Sequence, residues 1–199
     1  MKELTKYICV YCSSSCAIDE KYFSVARELG REMARRNIGL IFGGGMVGLM
    51  GETARAIHEH RGEVIGVIPE ALNLKGIAYE KCDQLIVTKD LRERKATMEE
   101  KAAGFIALPG GFGTLEELLE IITLKQLRYH NKPIVIFNVD GFYNGLIEIF
   151  ENIIKLNFAK KESRDLYFVA DNVTEALDYI ENYQPKEIAS KWLTHVNQD

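Results

Sequence analysis

The sequence predicts a single α/β domain, a doubly wound parallel sheet with helices on both faces, and two observations carry that prediction. Short apolar runs of strand character alternate with amphipathic helical stretches along the chain. Glycine- or serine-rich turns follow three of those runs, at residues 13–15, 43–45 and 110–113. Alternating strands and helices place parallel strands side by side beneath crossover helices, and ligands of such folds sit beyond the carboxyl ends of the strands. The three turns are therefore expected to converge on one crevice.

Residues 6–12 read as the first strand, and 20–36 as a helix with apolar positions at helical spacing. A short strand at 39–42 runs into the stretch from Gly43 to Gly51, and a helix over 54–60 follows. The next strand, 64–68, is stopped by Pro69. A strand at 84–88 precedes a charged helix over 91–103. The apolar run 105–108 leads through a glycine loop into a long amphipathic helix reaching about residue 129. A strand at 133–138, a helix at 143–156 and the segments 166–169 and 174–182 complete the alternation, ahead of a polar tail over about 183–199 that holds Trp192. No linker, repeat or low-complexity stretch interrupts this Rossmann-like pattern, so one domain over 1–199 suffices.

Length and charge narrow the function. A chain of 199 residues buries one good core and is short for two. A formal charge of −4 argues against a broad nucleic-acid footprint, which wants a basic surface. No apolar run approaches the roughly 18 residues of a membrane span, and Met1–Thr5 lack a signal-peptide pattern, so a cytoplasmic protein is expected. Cys9, Cys12 and Cys16 have C-x2-C-x3-C spacing, yet residues three apart on a strand face opposite ways and no histidine or acid stands beside them. Reduced structural thiols and no metal are the expectation.

The densest chemical signal is Leu108-Pro109-Gly110-Gly111-Phe112-Gly113-Thr114-Leu115-Glu116-Glu117. Glycines let backbone amides approach a ligand, and the following helix N-terminus favours an anion. A phosphate cradle with acids in the next turn suggests a phosphorylated substrate that undergoes reaction. Glu116 and Glu117 are adjacent, so they diverge by about 100° on a helix and suit different jobs; acids there can also simply complement the dipole, and Glu120 fits that set. Arg92-Glu93-Arg94-Lys95 opens a helix whose dipole does not favour cations, which makes a phosphate-binding guanidinium at Arg94 and a point charge at Lys95 credible. Gly43, Gly44 and Gly45 fit neither the dinucleotide fingerprint nor the P-loop, leaving ligand contact and tight packing both open. Ser13, Ser14 and Ser15 can contact a phosphate or ribose, or cap the following helix.

Arg94-Lys95 followed by Pro109–Glu117 resembles the paired signature of the Lonely Guy (LOG) family, cytokinin riboside 5′-monophosphate phosphoribohydrolases once described as lysine decarboxylases. The resemblance continues through Cys12–Ser15, Phe42–Gly51, Gly66–Pro69, Ile122–Leu127 and Asn138–Tyr143, covering about residues 6–182. It implies hydrolysis of the N-glycosidic bond of a nucleoside 5′-monophosphate, AMP or an N6-modified AMP, to free base and ribose 5-phosphate, with no cofactor. Arg94 and Glu117 match the family's catalytic pair. Gly110, Gly111, Phe112, Gly113, Thr114, Leu115 and Glu116 match its ligand-binding loop, with Lys95 and Thr123 as further contacts. The family also implies a homodimer at least, with sites near the subunit interface. Three positions depart from its pattern: Gly76 and Ala103 stand where it often carries acids, and Arg92 where it commonly carries a histidine. These leave the preferred base open. A second reading is a nucleotide-binding or carrier protein on the same fold, which has no need of Arg94 and Glu117. Lysine decarboxylation wants a pyridoxal-phosphate lysine with an acid partner for the ring, a context that neither Lys95 nor Lys125 offers.

Overall fold

A computed structural model describes residues 6–188 and 190–191, so Trp192 lies outside the described residues. The strands are β1 (Lys6–Tyr11), β2 (Ile38–Phe42), β3 (Val64–Pro69), β4 (Gln84–Thr88), β5 (Gly104–Ala107), β6 (Ile134–Phe137) and β7 (Phe168–Ala170). The helices are α1 (Glu20–Arg35), α2 (Gly48–Glu59), α3 (Leu91–Lys101), α4 (Phe112–Gln126), α5 (Asn144–Lys155) and α6 (Val173–Glu181). The strands form one parallel sheet in the order β4-β3-β2-β1-β5-β6-β7. The chain walks outward from β1 to β4, returns to the far side of β1, and continues through β5 to β7. The switch point lies between β1 and β5, where Cys9 is in register with Phe105.

Side chains alternate along β1 between two cores. Ile8, Val10 and Cys12 pack with Leu29, Leu49 and Leu177 of α1, α2 and α6. Cys9 and Tyr11 pack with Met98 of α3 and Leu118 and Ile121 of α4. Cys9 and Cys12 therefore belong to opposite faces of the sheet and cannot share an ion, as the two-residue period of a strand requires. Helices α1 and α4 leave neighbouring strands toward opposite faces, which opens a crevice at the switch point. Among the described residues no helix is long and apolar enough to cross a membrane.

Two element boundaries differ from expectation by three residues or more. Helix α2 starts at Gly48, six positions ahead of the expected residue 54. Tertiary bonds fix that start despite its poor helix formers: the Leu49 amide donates to the Ser13 carbonyl (2.9 Å), and Gly48 N–H to Cys16 Sγ (3.4 Å). Gly48 takes φ +60°, and a Cβ there would lie 2.6 Å from the Ser13 carbonyl, so only glycine lets the two turns touch. Helix α4 ends at Gln126 because Arg128 turns left-handed (φ 67°).

The described part of the tail runs back over the end of α4. Tyr183 Oη donates to Asn131 Oδ1 (2.9 Å), Asn131 Nδ2 to the Lys186 carbonyl (2.7 Å), and the Arg128 guanidinium to the Ile188 carbonyl. Beneath it Lys125 is buried, 1% exposed, and burial pushes its pKa down from 10.5 to about 8. Because the unfolded chain binds that proton more tightly, its destabilising contribution is full below pH 8 and relieved as pH rises toward 10.5. Stability in chloride buffer is therefore expected to rise between pH 8 and 10, by up to roughly 3 kcal/mol at full deprotonation. Urea unfolding of Lys125→Met at the same pH values should lack that rise.

Candidate active site

Backbone bonds tie the crevice turns together. The Leu108 amide donates to the Tyr11 carbonyl (2.9 Å), and the Ser13 amide to the Pro109 carbonyl (3.2 Å). With Leu49 N–H on Ser13, the turns after β1, β2 and β5 become one unit. Tyr143 adds a buried strut, its hydroxyl donating to the Leu108 carbonyl (2.7 Å) directly ahead of the glycine loop. Burial pushes the Tyr143 hydroxyl pKa up, so it remains a donor.

Helix α4 opens into this crevice without a side-chain cap: Gly111 is its N-cap residue. Helices α1, α3 and α6, by contrast, are capped by Asp19, Asp90 and Asn172. The first amides of α4, at Phe112, Gly113 and Thr114, have no intrahelical acceptor and point to where an anion is favoured. Gly110 is half-buried, Gly111 and Gly113 are exposed, and the Phe112 ring stands in solvent, 93% exposed. Thr114 is buried against Gly110, and Leu115 half-buried against the second core.

One turn into α4, Glu117 points inward and Glu116 outward. Arg94 Nη1 donates to Glu117 Oε1 (2.8 Å), and Arg94 Nε to the Val67 carbonyl (3.0 Å). Both side chains are nearly buried, 12% and 10% exposed. Burial pushes the Glu117 carboxyl above its ordinary 4.5, and the Arg94 guanidinium pulls it back down. Burial, reinforced by the Glu117 charge, pushes Cys9, Tyr11 and Cys12 up and keeps the floor of the site neutral. The result is a desolvated carboxylate held by a fixed cation, one helical turn from an open anion seat.

Gly43 makes the pair possible. A Cβ there would lie 2.1 Å from Arg94 Nη2, so the guanidinium occupies the space that any larger residue would fill. Gly44 and Gly45 are buried in packing: the Gly44 carbonyl accepts from Tyr79 N (2.8 Å), and Gly45 bridges to Ala78. Ser13 and Ser14 sit at the crevice, half-buried and exposed respectively. None of the three serines caps α1, because Asp19 does so and Ser13 Oγ accepts from Ser15 N (3.0 Å).

Lys95 forms a second, more open cluster. Its ammonium pairs with Glu116 and with Glu120 (2.7 Å), and although burial opposes it, these carboxylates raise its pKa. Thr123 continues the stripe of Glu116 and Glu120 at helical spacing; it is exposed, and its hydroxyl donates to the Leu119 carbonyl (2.8 Å). Sequence reasoning missed the roles of Gly43, the Val67 carbonyl, the Tyr143 hydroxyl and Glu120. Their positions had left traces: Gly43, Val67 and Tyr143 lie in the Phe42–Gly51, Gly66–Pro69 and Asn138–Tyr143 segments of the family resemblance, and Glu120 had been read as an acid that complements the helix dipole. Among the described residues no group of three histidine, cysteine or acidic side chains could hold a metal ion.

Known proteins match this chain in sequence and in fold. A family profile described as "Possible lysine decarboxylase" matches residues 50–180. Cytokinin riboside 5′-monophosphate phosphoribohydrolase LOG5 of Arabidopsis thaliana is 42% identical over 185 residues, 93% of this chain and 81% of that protein. Probable cytokinin riboside 5′-monophosphate phosphoribohydrolase LOGL2 of Oryza sativa subsp. japonica is 40% identical over 193 residues, 96% of this chain and 79% of that protein. Among solved structures, a molybdenum cofactor binding protein from Rippkaea orientalis superimposes with a TM-score of 0.69 at 22% identity, covering 88% of this chain and 95% of that one. A Moco carrier protein from Chlamydomonas reinhardtii gives a TM-score of 0.67 at 24% identity, covering 88% and 95%. At that identity the structures establish the fold alone. The sequence relatives go further: with two-fifths identity sustained across more than nine-tenths of its length, this chain belongs to the LOG family.

Proposed function

We propose that the protein hydrolyses the N-glycosidic bond of a nucleoside 5′-monophosphate, AMP or an N6-modified AMP, releasing the base and ribose 5-phosphate. The buried Arg94–Glu117 pair beside the uncapped start of α4 carries this reading. The α4 amides seat the 5′-phosphate, with Gly110, Gly111 and Gly113 letting it approach the backbone. Glu116 and Lys95, with Thr123 further along the helix, flank the nucleotide. Bond cleavage develops positive charge on the ribose ring, as in other glycosyl transfers. Glu117 stabilises that charge and activates the attacking water, while Arg94 fixes the carboxylate's orientation and adds charge near the phosphate. Arg94 stays protonated and moves no proton. Water is the only co-reactant, so no cofactor is needed.

Support comes from the names of the relatives, which act on cytokinin riboside 5′-monophosphates. The carrier alternative shares the fold, yet a carrier gains nothing from a desolvated carboxylate at the reacting centre. We further propose a homodimer: Ile149 and Ile153 of α5, with Leu156 and Phe158 beyond it, leave apolar side chains open to solvent. The cytoplasm, which supplies nucleoside monophosphates, is the matching compartment.

The phosphate seat is tested by comparing AMP with adenosine. AMP is expected to be cleaved at least about 100-fold more efficiently, because remote binding energy drives the reacting centre. Equal rates would contradict the seat. In Gly43→Ala the new methyl displaces the Arg94 guanidinium. We expect kcat/KM to fall about 10²-fold, the usual cost of a misplaced group, with the far-ultraviolet circular dichroism unchanged.

A further inference from the structure

Lys125 carries three ammonium donors and makes no hydrogen bond among the described residues. Its described aromatic neighbour is the Tyr183 ring, 4.7 Å from Nζ, which offers a π-face and no acceptor atom. A buried ammonium without acceptors is costly, so such groups in native structures call for an explanation. The position gives one. Lys125 lines a cavity of about 80 Å³ between the last turn of α4, the 161–166 turn and the tail segment from Tyr183. A water needs roughly 10–15 Å³ measured this way, so the space admits several waters or one tetrahedral oxyanion.

Most residues that line the cavity are polar or charged. Asn131, Lys160, Ser163 and Lys186 also line it, and lysines outnumber acids there by four to three. One of those acids, Asp165, is taken by Lys186 (3.0 Å). The bonds from Arg128 and Asn131 to the tail hold its outer wall. It is also separate from the anion seat at the start of α4. Phe112 and Lys125 lie thirteen positions apart on the helix, roughly 20 Å at helical rise.

We propose that this cavity binds a phosphate-sized oxyanion, with Lys125 as its buried counter-charge and Lys186 and Ser163 as further donors. The flexible lysine stem brings Nζ to the anion, and binding supplies the acceptors that the protein does not. The cavity has room for a phosphate group, and the source is either free phosphate or the head of a sugar phosphate whose remainder lies outside.

Selenate-soaked crystals of the full chain test this directly. The expected result is an anomalous peak within hydrogen-bond reach of Lys125 Nζ, absent in Lys125→Met, with any peak at the α4 N-terminus unaffected. Only water in the wild-type cavity, or a peak that persists in Lys125→Met, would overturn the proposal. In solution, inorganic phosphate should raise the wild-type Tm through a site that Lys125→Met weakens at least tenfold and Lys186→Ala severalfold. An identical phosphate response in all three proteins would also overturn it. Replacing phosphate by ribose 5-phosphate separates the sources: a Lys125-dependent rise assigns a sugar phosphate, and its loss assigns free phosphate.

Discussion

Glu117→Gln should lower kcat for AMP hydrolysis by about 10³-fold while leaving nucleotide affinity within roughly threefold. Glutamine keeps the shape and can still accept from Arg94 Nη1, so the site stays assembled and binding survives. It cannot carry the negative charge that faces the developing cation, nor take a proton from water. The loss should therefore fall on kcat with little change in KM, the pattern of an interaction made mainly in the transition state. Wild-type kcat/KM should also show an acid limb above the ordinary carboxylate value of 4.5, because burial raises the Glu117 pKa and the ionised form is the active one. Undiminished turnover in Glu117→Gln would remove the carboxylate from the mechanism.

Arg94→Ala is expected to damage both stability and activity. Removing the cation leaves the Glu117 carboxylate buried, with an adjacent Glu116 charge that also disfavours ionisation. Breaking one side of a buried pair typically costs about 3–5 kcal/mol. It also pushes Glu117 toward the protonated, inactive form, so activity should fall with it. Replacing both partners, as Arg94→Met with Glu117→Leu, should recover most of the stability with none of the activity. Urea midpoints at pH 7 for the two singles and the double separate these outcomes. Equal stability of wild type and Arg94→Ala would mean that the pair contributes nothing to holding the crevice together.

Local chemistry made the fold and half of the site legible. Strand–helix alternation is a property of neighbours in sequence, so the parallel sheet followed from it. The glycine loop, the helix it opens and the divergence of Glu116 from Glu117 are local as well. The contacts that finish the site join residues far apart in the chain. Arg94 reaches Glu117 across 23 positions, and Arg94 presses on Gly43 across about fifty. A triple glycine reads equally as a ligand loop or as room for another side chain, and only the fold assigns Gly43 to the second. The start of α2 was hidden for a related reason: glycines argue against a helix locally, and bonds donated to Ser13 and Cys16 override them. Nothing local marks Lys125 for burial, which comes with packing against a tail segment almost sixty residues later.

Bond cleavage at the Arg94–Glu117 site is tested by chromatography of products after incubation with AMP, and separately with prenyl-AMP. Free adenine or prenyladenine, formed together with ribose 5-phosphate, is the expected result, and the ratio of the two rates gives the base preference. Intact nucleotide in both reactions, with binding verified by calorimetry, would contradict cleavage and leave the chain a nucleotide carrier on a hydrolase fold.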